Sequence, residues 1–206
     1  MNKVNYQKEC DKILAKEQER GRVPTLLMHS CCAPCSSYCL TYLAQYFSIT
    51  IYYYNPNITE HEEYEKRVAE QKRLIQQLPV PHPVAFVEGK YQPELFLKMA
   101  KGMEELPEGG DRCFACYELR LGQAVSYAEE QGFDYVTTTL SVSPHKNAEK
   151  LNEIGIRLTE GKTVEYLLSD FKKKGGYLQS IALSKEYDLY RQDYCGCIYS
   201  KNQVIV

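Results

Sequence analysis

Short apolar runs alternate along the chain with longer stretches of charged, helix-forming residues. The apolar runs are rich in β-branched and aromatic residues and predict five strands, at 23–28, 46–54, 83–87, 133–140 and 164–168. The stretches around them predict an amphipathic opening helix at 2–20, a helix that begins near Pro34, and helices at 60–78, 94–103, 116–131, 147–158 and 176–185. Because strands alternate with helices, we expect an α/β fold with a parallel sheet and right-handed crossovers.

The composition is that of an ordinary globular protein. With 206 residues, 44% of them hydrophobic and 25% charged, the chain can bury a core without disulfides, so we expect a single α/β domain over residues 1–206. Residues 1–20 are too charged for a signal peptide, and no apolar run is long enough to cross a bilayer. These features predict a cytoplasmic protein with no membrane partner and with reduced thiols. The net charge of −2 argues against wholesale nucleic-acid binding but allows a local basic face.

Seven of the nine cysteines fall in three tight clusters that are far apart along the chain. The clusters are Cys31-Cys32-Ala33-Pro34-Cys35, Cys113-Phe114-Ala115-Cys116 and Cys195-Gly196-Cys197. The first cluster follows the first predicted strand, and residues 141–146 follow the fourth. Open α/β sheets bind ligands outside the carboxyl ends of their strands, so these segments lie where a site is expected.

Seven thiols exceed the four that one tetrahedral metal or one cubane cluster needs. Because neighbouring side chains diverge, we expect Cys31 and Cys32 to address two adjacent centres. Cys32 and Cys35 form a C-x-x-C at a strand-to-helix junction, where backbone N–H groups lower a thiol pKa. An iron–sulfur cluster with a second thiolate-bound metal uses all seven thiols and is favoured, whereas a zinc ribbon or a redox dithiol leaves several without a role. Cys10 and Cys39, outside the clusters, are expected to pack as small buried hydrophobes.

Five ordered motifs strengthen the iron–sulfur interpretation, and they lie at residues 29–35, 54–58 with 63, 64 and 67, 110–121, 143–147 and 190–197. Together they resemble the QueH-type epoxyqueuosine reductases, over nearly the whole chain. The resemblance implies the last step of queuosine formation, in which the epoxide on the modified wobble guanine of tRNA is reduced to an alkene with loss of water.

The same resemblance carries implications for the fold and the cofactors. It implies a three-layer core similar to adenine-nucleotide hydrolase-like (HUP or Rossmann-like) domains. It implies a [4Fe–4S] cluster beside an additional iron, an external electron donor and no cobalamin. Some members of the family carry Asp in place of Cys35, which leaves the ligand set and the identity of the second metal open.

Polar side chains near the predicted strand ends are candidates for binding the substrate. Asn55 and Asn57 follow the second strand and suit a base edge or the cyclopentane hydroxyls, although Asn-Pro-Asn also simply forms turns. Tyr64 and Arg67 share one helix face, where Arg67 either holds a phosphate or pairs with a neighbouring glutamate. Arg191, shortly before the last cysteine pair, is a candidate to clamp RNA.

Three further residues are candidates for moving a proton. Lys146 follows the fourth strand, where it either donates a proton, contacts phosphate or is solvated. Tyr194, directly before the last cysteine pair, either supplies a proton or packs. Asp111 either donates a proton or forms a local ion pair with Arg112.

Two other functions share some of these features. Sulfur transfer to tRNA also uses nucleotide-hydrolase-like folds, but it needs an adenylating glycine-rich loop after the first strand, where this chain has His-Ser-Cys-Cys-Ala-Pro-Cys. A zinc-stabilised RNA-binding module without catalysis would be colourless, whereas an iron–sulfur protein is brown. Colour therefore separates these alternatives.

Overall fold

The computed structural model describes residues 4–203, which contain one parallel sheet with the strand order β3-β2-β1-β4-β5. The strands are β1 (Thr25–His29), β2 (Ser48–Tyr53), β3 (Ala85–Glu88), β4 (Tyr135–Thr138) and β5 (Glu165–Tyr166). The α-helices are α1 (Tyr6–Glu19), α2 (Ala33–Leu43), α3 (His61–Gln77), α4 (Pro93–Ala100), α5 (Asp111–Glu130), α6 (Ala148–Thr159), α7 (Gly176–Glu186) and α8 (Ile198–Gln203). Within this part of the chain, no helix combines the length and the apolar character that a membrane crossing requires.

The predicted α/β fold is confirmed, because every strand pair of the sheet runs parallel. All five predicted strands are present, with ends that differ from the prediction by at most two residues. The opening helix is α1, and residues 2 and 3 of its predicted span lie outside the described residues. The hydrophobic pattern does not predict the short helix α8.

The start of α5 differs from the prediction, which placed it at Cys116. The helix begins five residues earlier, at Asp111, because Gly110 takes an extended conformation as the N-cap. Asp111 then supplies a negative charge in the first turn, where the helix dipole favours it. Cys113 and Cys116 consequently lie on one rigid helix face, one turn apart, rather than on a loop and a helix.

The sheet is the middle of three layers. Leu26 and Met28 of β1 face a core shared with α1, α2 and α7, whereas Leu27 faces the core shared with α5 and α6. This alternation follows from the two-residue period of a strand, which sends successive side chains to opposite faces. Cys10 and Cys39 lie in the first core with no exposed surface, so their prediction as buried packing residues is confirmed.

The strand order reverses at β1, because β2 and β3 lie on one side of it and β4 and β5 on the other. A crevice opens at such a switch point, outside the carboxyl ends of the strands. His29 ties three of these ends together: its Nδ1 lies 2.8 Å from Thr138 Oγ1, and its Nε2 lies 3.1 Å from the Tyr54 carbonyl oxygen. Burial lowers the pKa of His29 to about 3, so the ring is neutral. The floor of the crevice is therefore fixed.

The contact between α6 and β5 leaves no room for a side chain at Gly155. A Cβ atom there would lie 2.4 Å from the ring of the buried Tyr166, whereas a Cβ atom at Gly122 of α5 meets nothing within 4 Å. We expect Gly155→Ala to lower the free energy of unfolding by about 1–3 kcal/mol through overpacking. We expect Gly122→Ala to raise it by about 0.5–1 kcal/mol, because alanine favours a helix.

Urea unfolding of the two variants and the wild type measures both effects. Equal stability of Gly155→Ala and Gly122→Ala would show that Tyr166 moves aside, and would contradict close packing between α6 and β5.

Candidate metal centre

The first cysteine cluster brings three thiols together at the carboxyl end of β1. The Sγ atoms of Cys31 and Cys32 lie 3.7 Å apart, and those of Cys31, Cys32 and Cys35 all lie within 4.8 Å of one another. The expectation that Cys31 and Cys32 diverge is therefore wrong. The chain turns from strand to helix here, with Cys32 in an extended conformation as the N-cap of α2, and this turn directs both sulfur atoms to one side. Three soft ligands at this spacing suit a single thiophilic metal ion.

The thiol with the lowered pKa in this group is Cys31. Hydrogen bonds with Cys32 and Cys35, together with the positive charge of Arg120, hold the pKa of Cys31 well below its ordinary value. The hydrogen bond with Cys31 raises the pKa of Cys32 to about 12, and the same interaction raises the pKa of Cys35. The prediction that the Cys32 and Cys35 pair has lowered pKa values is wrong, because hydrogen bonding with Cys31 and burial raise both pKa values.

The other four clustered cysteines line a second, inner cavity. Cys113 and Cys116 enter it from the first turns of α5, and Cys195 and Cys197 enter it from the segment between α7 and α8. Their Sγ atoms do not form a tight group like that of Cys31, Cys32 and Cys35. Such a spread is expected for a cubane cluster, in which each thiolate binds a different iron.

Backbone contacts hold the Cys195-Gly196-Cys197 loop in place. The Cys195 carbonyl oxygen accepts hydrogen bonds from Asn57 Nδ2 at 3.4 Å and from Arg67 Nη1 at 3.3 Å, and the Gly196 carbonyl oxygen accepts one from the backbone of Thr59 at 3.2 Å. Gly196 has a φ of +108°, and a Cβ atom there would lie 2.9 Å from Ile58 Cγ1. Only glycine fits this close approach without strain.

Four buried polar atoms around the inner cavity have no hydrogen-bond partner among the described residues. They are Asn57 Oδ1, Arg112 Nη2, Tyr117 Oη and Arg120 Nε. Buried polar groups are rarely left unpaired, and three of these four groups carry hydrogen-bond donors. The cavity is therefore suited to an occupant that is rich in acceptors and negatively charged, as the sulfides and thiolates of an iron–sulfur cluster are.

A cleft of about 340 Å³ lies between the two thiol groups and the surface. Cys31 and Cys35 line it from one side, while Cys195 and Arg120 line both the cleft and the inner cavity. The two thiol groups thus share a wall. A molecule in the cleft can therefore contact Cys31 and Cys35 of the first group and Cys195 of the second.

Lys146 is a buried cation at the same wall. Its Nζ lies 2.8 Å from Glu108 Oε1 and 3.3 Å from Cys195 Sγ. Burial alone would lower the pKa of Lys146, but nearby negative charge, chiefly that of Cys195, raises it above its ordinary value. The amine is therefore protonated at neutral pH. Lys146 is not the solvated lysine that the sequence also allowed, since its side chain is 8% exposed.

The other predicted site residues lie at different depths. Asn55 is buried, donates to the Ser30 carbonyl oxygen at 2.8 Å and accepts from Arg120 Nη2 at 2.5 Å. Arg191 and Tyr194 line the cleft, and Asp111 is exposed at the first turn of α5. Tyr64 is buried, with its hydroxyl 3.4 Å from the Gly89 carbonyl oxygen.

Arg67 and Arg112 are engaged by the protein itself. Arg67 Nε donates to Glu63 Oε1 at 2.7 Å, which is the glutamate pairing that the sequence allowed. Arg112 Nη1 donates to three backbone carbonyl oxygens between residues 103 and 106. The substrate-binding roles of Asn55, Asn57, Tyr64, Arg67 and Arg191, and the proton-moving roles of Lys146, Tyr194 and Asp111, stay predictions.

Sequence reasoning did not assign a role to Arg120 or Glu108. The signal for Arg120 is its position four residues after Cys116 and seven after Cys113, which places all three on one face of a helix. Glu108 lies in a proline- and glycine-rich loop, and nothing local in the sequence indicates its contact with Lys146.

An open parallel sheet with thiols gathered at its switch point defines the class: an α/β protein with a candidate metal centre. The structure resembles that of NMN synthetase from Francisella tularensis, with a TM-score of 0.51 and 14% identity over 93% of this chain and 75% of that one. This likeness concerns the fold alone, and the predicted three-layer core is confirmed.

The sequence comparisons identify the family. The family described as epoxyqueuosine reductase QueH matches residues 26–203. The epoxyqueuosine reductases QueH of Streptococcus pyogenes serotype M1 and Staphylococcus epidermidis are each 43% identical to the chain over 96% of its length, covering 78% and 85% of their own. The relative from Thermotoga maritima is 34% identical over 85% of this chain and 90% of its own. The chain belongs to the QueH family.

The close packing around Gly196 gives a testable prediction. We expect Gly196→Ala to cost about 1–3 kcal/mol of stability, because a positive φ strains alanine, and to lose most of the bound metal, because the added methyl displaces Cys195 and Cys197. Gly161→Ala is the matched control, since Gly161 also has a positive φ, of +73°, but its Cβ position is open.

Urea unfolding of the two variants measures the backbone strain, and metal analysis of the anaerobically purified proteins measures the displacement of the cysteines. A Gly196→Ala protein with the metal content of Gly161→Ala would show that the loop does not determine the thiol positions.

Proposed function

We propose that this protein is a cytoplasmic, iron–sulfur epoxyqueuosine reductase that acts on the wobble position of tRNA without cobalamin. The observation that carries the proposal is the division of seven thiols into two groups that share one wall of a cleft. Membership of a family named for epoxyqueuosine reduction supplies the substrate and the reaction. The absence of cobalamin from this proposal rests on the family resemblance of the five motifs.

The two groups suit two different metal centres. A [4Fe–4S] cluster would be held by Cys113, Cys116, Cys195 and Cys197. These residues line a cavity whose buried polar atoms include donors without a partner among the described residues, and the sulfides of a cluster could accept from them. Cys31, Cys32 and Cys35 would hold one further iron, or another thiophilic ion. When bound, these centres would supply electrons singly and Lewis acidity toward the epoxide oxygen.

The overall reaction balances with two electrons and two protons. Both C–O bonds of the epoxide break, a C=C bond forms between the two ring carbons, and the oxygen leaves as water. The electrons come from an external one-electron reductant, and the protons come from the cleft. The cleft must therefore place the epoxide beside the first thiol group and beside a proton source.

The residues of the cleft are suited to these tasks. Single-stranded anticodon bases can be splayed out, so the modified base would enter the cleft while the tRNA stays outside. Lys146, which nearby negative charge, chiefly that of Cys195, keeps protonated, lines the cleft and would stabilise or protonate the departing oxygen. Tyr194 is a second proton donor at the rim, and Arg191 would hold the RNA. Asp111, which is exposed, would act only through water.

In this proposal, the buried polar residues position other groups of the site and do not contact the substrate. Asn57 and Arg67 would position the thiolate loop, because their side chains bind the Cys195 carbonyl oxygen. Asn55 would position Arg120. Tyr64 would pack beneath the second strand end, where its ring contacts Tyr53 and Tyr91.

Paired cysteine variants test the division of the thiols. We expect anaerobically purified wild type to be brown and, with dithionite as the reductant, to convert epoxyqueuosine in tRNA to a product that lacks one oxygen atom by mass spectrometry. Cys113→Ala should lose sulfide, most iron and all conversion. Cys31→Ala should keep the sulfide and the cluster absorbance but lose the additional metal and reduce conversion at least about a hundredfold, because that metal would supply the Lewis acidity toward the epoxide oxygen.

Cys10→Ala is the control, because Cys10 is a buried core residue of α1 that belongs to neither thiol group, so this variant should keep both metals and the activity. A colourless zinc protein that leaves epoxyqueuosine unchanged would refute the proposal and favour an RNA-binding module. A brown protein in which Cys31→Ala and Cys113→Ala lose the same metals would contradict two separate centres.

A further inference from the structure

We propose that Arg120 sets the reduction potential of the iron–sulfur cluster: its buried positive charge, which lies between the two thiol groups, stabilises the reduced cluster. This inference rests on the proposed function, because it presumes a cluster among Cys113, Cys116, Cys195 and Cys197. It assigns Arg120 as a positioning residue that acts on the cluster through charge and hydrogen bonding, without contact with the substrate's reacting atoms.

The guanidinium of Arg120 is buried without a carboxylate partner among the described residues. Its side chain is 1% exposed, its Nη2 donates to the neutral amide oxygen of Asn55, and its Nε has no partner. A buried cation without a counter-charge is unfavourable, because burial removes the water that would otherwise stabilise the charge. The guanidinium therefore requires an anionic neighbour, and the thiols on either side are the groups that can provide one.

The lining of the inner cavity shows the same imbalance of charge. Arg112, Arg120 and Lys146 line it, whereas Glu108 is its one carboxylate among the described residues. Glu108 is within 2.8 Å of Lys146 and so balances that cation. The two arginines are left to balance the charge that thiolate ligands and a cluster bring.

Position distinguishes Arg120 from Arg112. Arg112 Nη1 is occupied by three backbone carbonyl oxygens, which tie it to the loop before α5. Arg120 lines both the inner cavity and the cleft, and its hydrogen bond to Asn55 connects it to the end of β2. Its charge therefore acts on both thiol groups at once.

A fixed positive charge in a low-dielectric site favours the more negative state of its neighbour. Reduction adds one negative charge to the cluster, and the attraction to Arg120 is stronger in a buried site than in water. Hydrogen bonds to sulfur also raise the potential of iron–sulfur centres, and Arg120 Nε is a donor without a partner. Loss of the charge should therefore make the cluster harder to reduce.

The test is a potentiometric titration of the anaerobic protein, followed by the electron paramagnetic resonance signal of the reduced cluster. At the wild-type midpoint potential, we expect the ratio of reduced to oxidised cluster to fall at least about tenfold in Arg120→Met, which corresponds to about 59 mV for one electron. Arg120→Lys keeps the charge and should stay within about threefold of the wild type. Arg157→Met, which removes an exposed arginine of α6, should leave the ratio unchanged because solvent screens its charge.

Asn55→Asp is a second variant that does not depend on removing the arginine. The new carboxylate would accept the hydrogen bond from Arg120 Nη2 and cancel much of its field, at the cost of the hydrogen bond to the Ser30 carbonyl oxygen. We expect it to lower the same ratio. If Arg120→Met does not load a cluster, Asn55→Asp decides the question.

The outcomes separate this inference from the proposed function. A wild type without a cluster signal overturns both. A wild type with a cluster, together with unchanged ratios in the neutralised variants, overturns the role of Arg120 alone. If neither neutralised variant loads a cluster, Arg120 serves the assembly of the cluster, and its proposed role in the reduction potential is overturned.

Discussion

The candidate metal centre depends on how the Cys195-Gly196-Cys197 loop packs against α3 and the segment between β2 and α3. The Cys195 carbonyl oxygen is held by side chains from two other segments, and Gly196 allows an approach that a Cβ atom would block. Cys195 is also the thiol that lines both the inner cavity and the cleft. One loop thus determines whether the two thiol groups face each other.

Electrostatics then determines what the two groups can hold. Arginine and lysine side chains are buried around the thiols, and three of the residues that line the inner cavity carry donors without a partner among the described residues. Without negative charge nearby, these buried cations destabilise the folded protein. When thiolates and an acceptor-rich cluster are present, the same cations stabilise them. The same cations that stabilise the ligands also affect how readily the site accepts an electron, so structure and redox chemistry are coupled through burial.

The fold could be predicted from the sequence because it depends on local pattern. Strand β1 is a short apolar run, and Pro34 marks the first turn of the helix that follows it. Alternation of strands and helices then places the first cysteine cluster and Lys146 at neighbouring strand ends.

The contacts within the site could not be predicted, because they join segments that are distant in sequence. The lowered pKa of Cys31 results from hydrogen bonds with Cys32 and Cys35 and from the positive charge of Arg120, far along the chain. The contact between Glu108 and Lys146 joins two loops. The contacts of Arg120 and Glu108 are tertiary effects, which no local pattern reports.

An anaerobic crystal structure, with anomalous scattering measured on both sides of the iron absorption edge, tests the central claim most directly. The account predicts two separate features: a cubane cluster bound by Cys113, Cys116, Cys195 and Cys197, and a single metal ion bound by Cys31, Cys32 and Cys35. A single feature, or a cluster that draws its ligands from both groups, would contradict it.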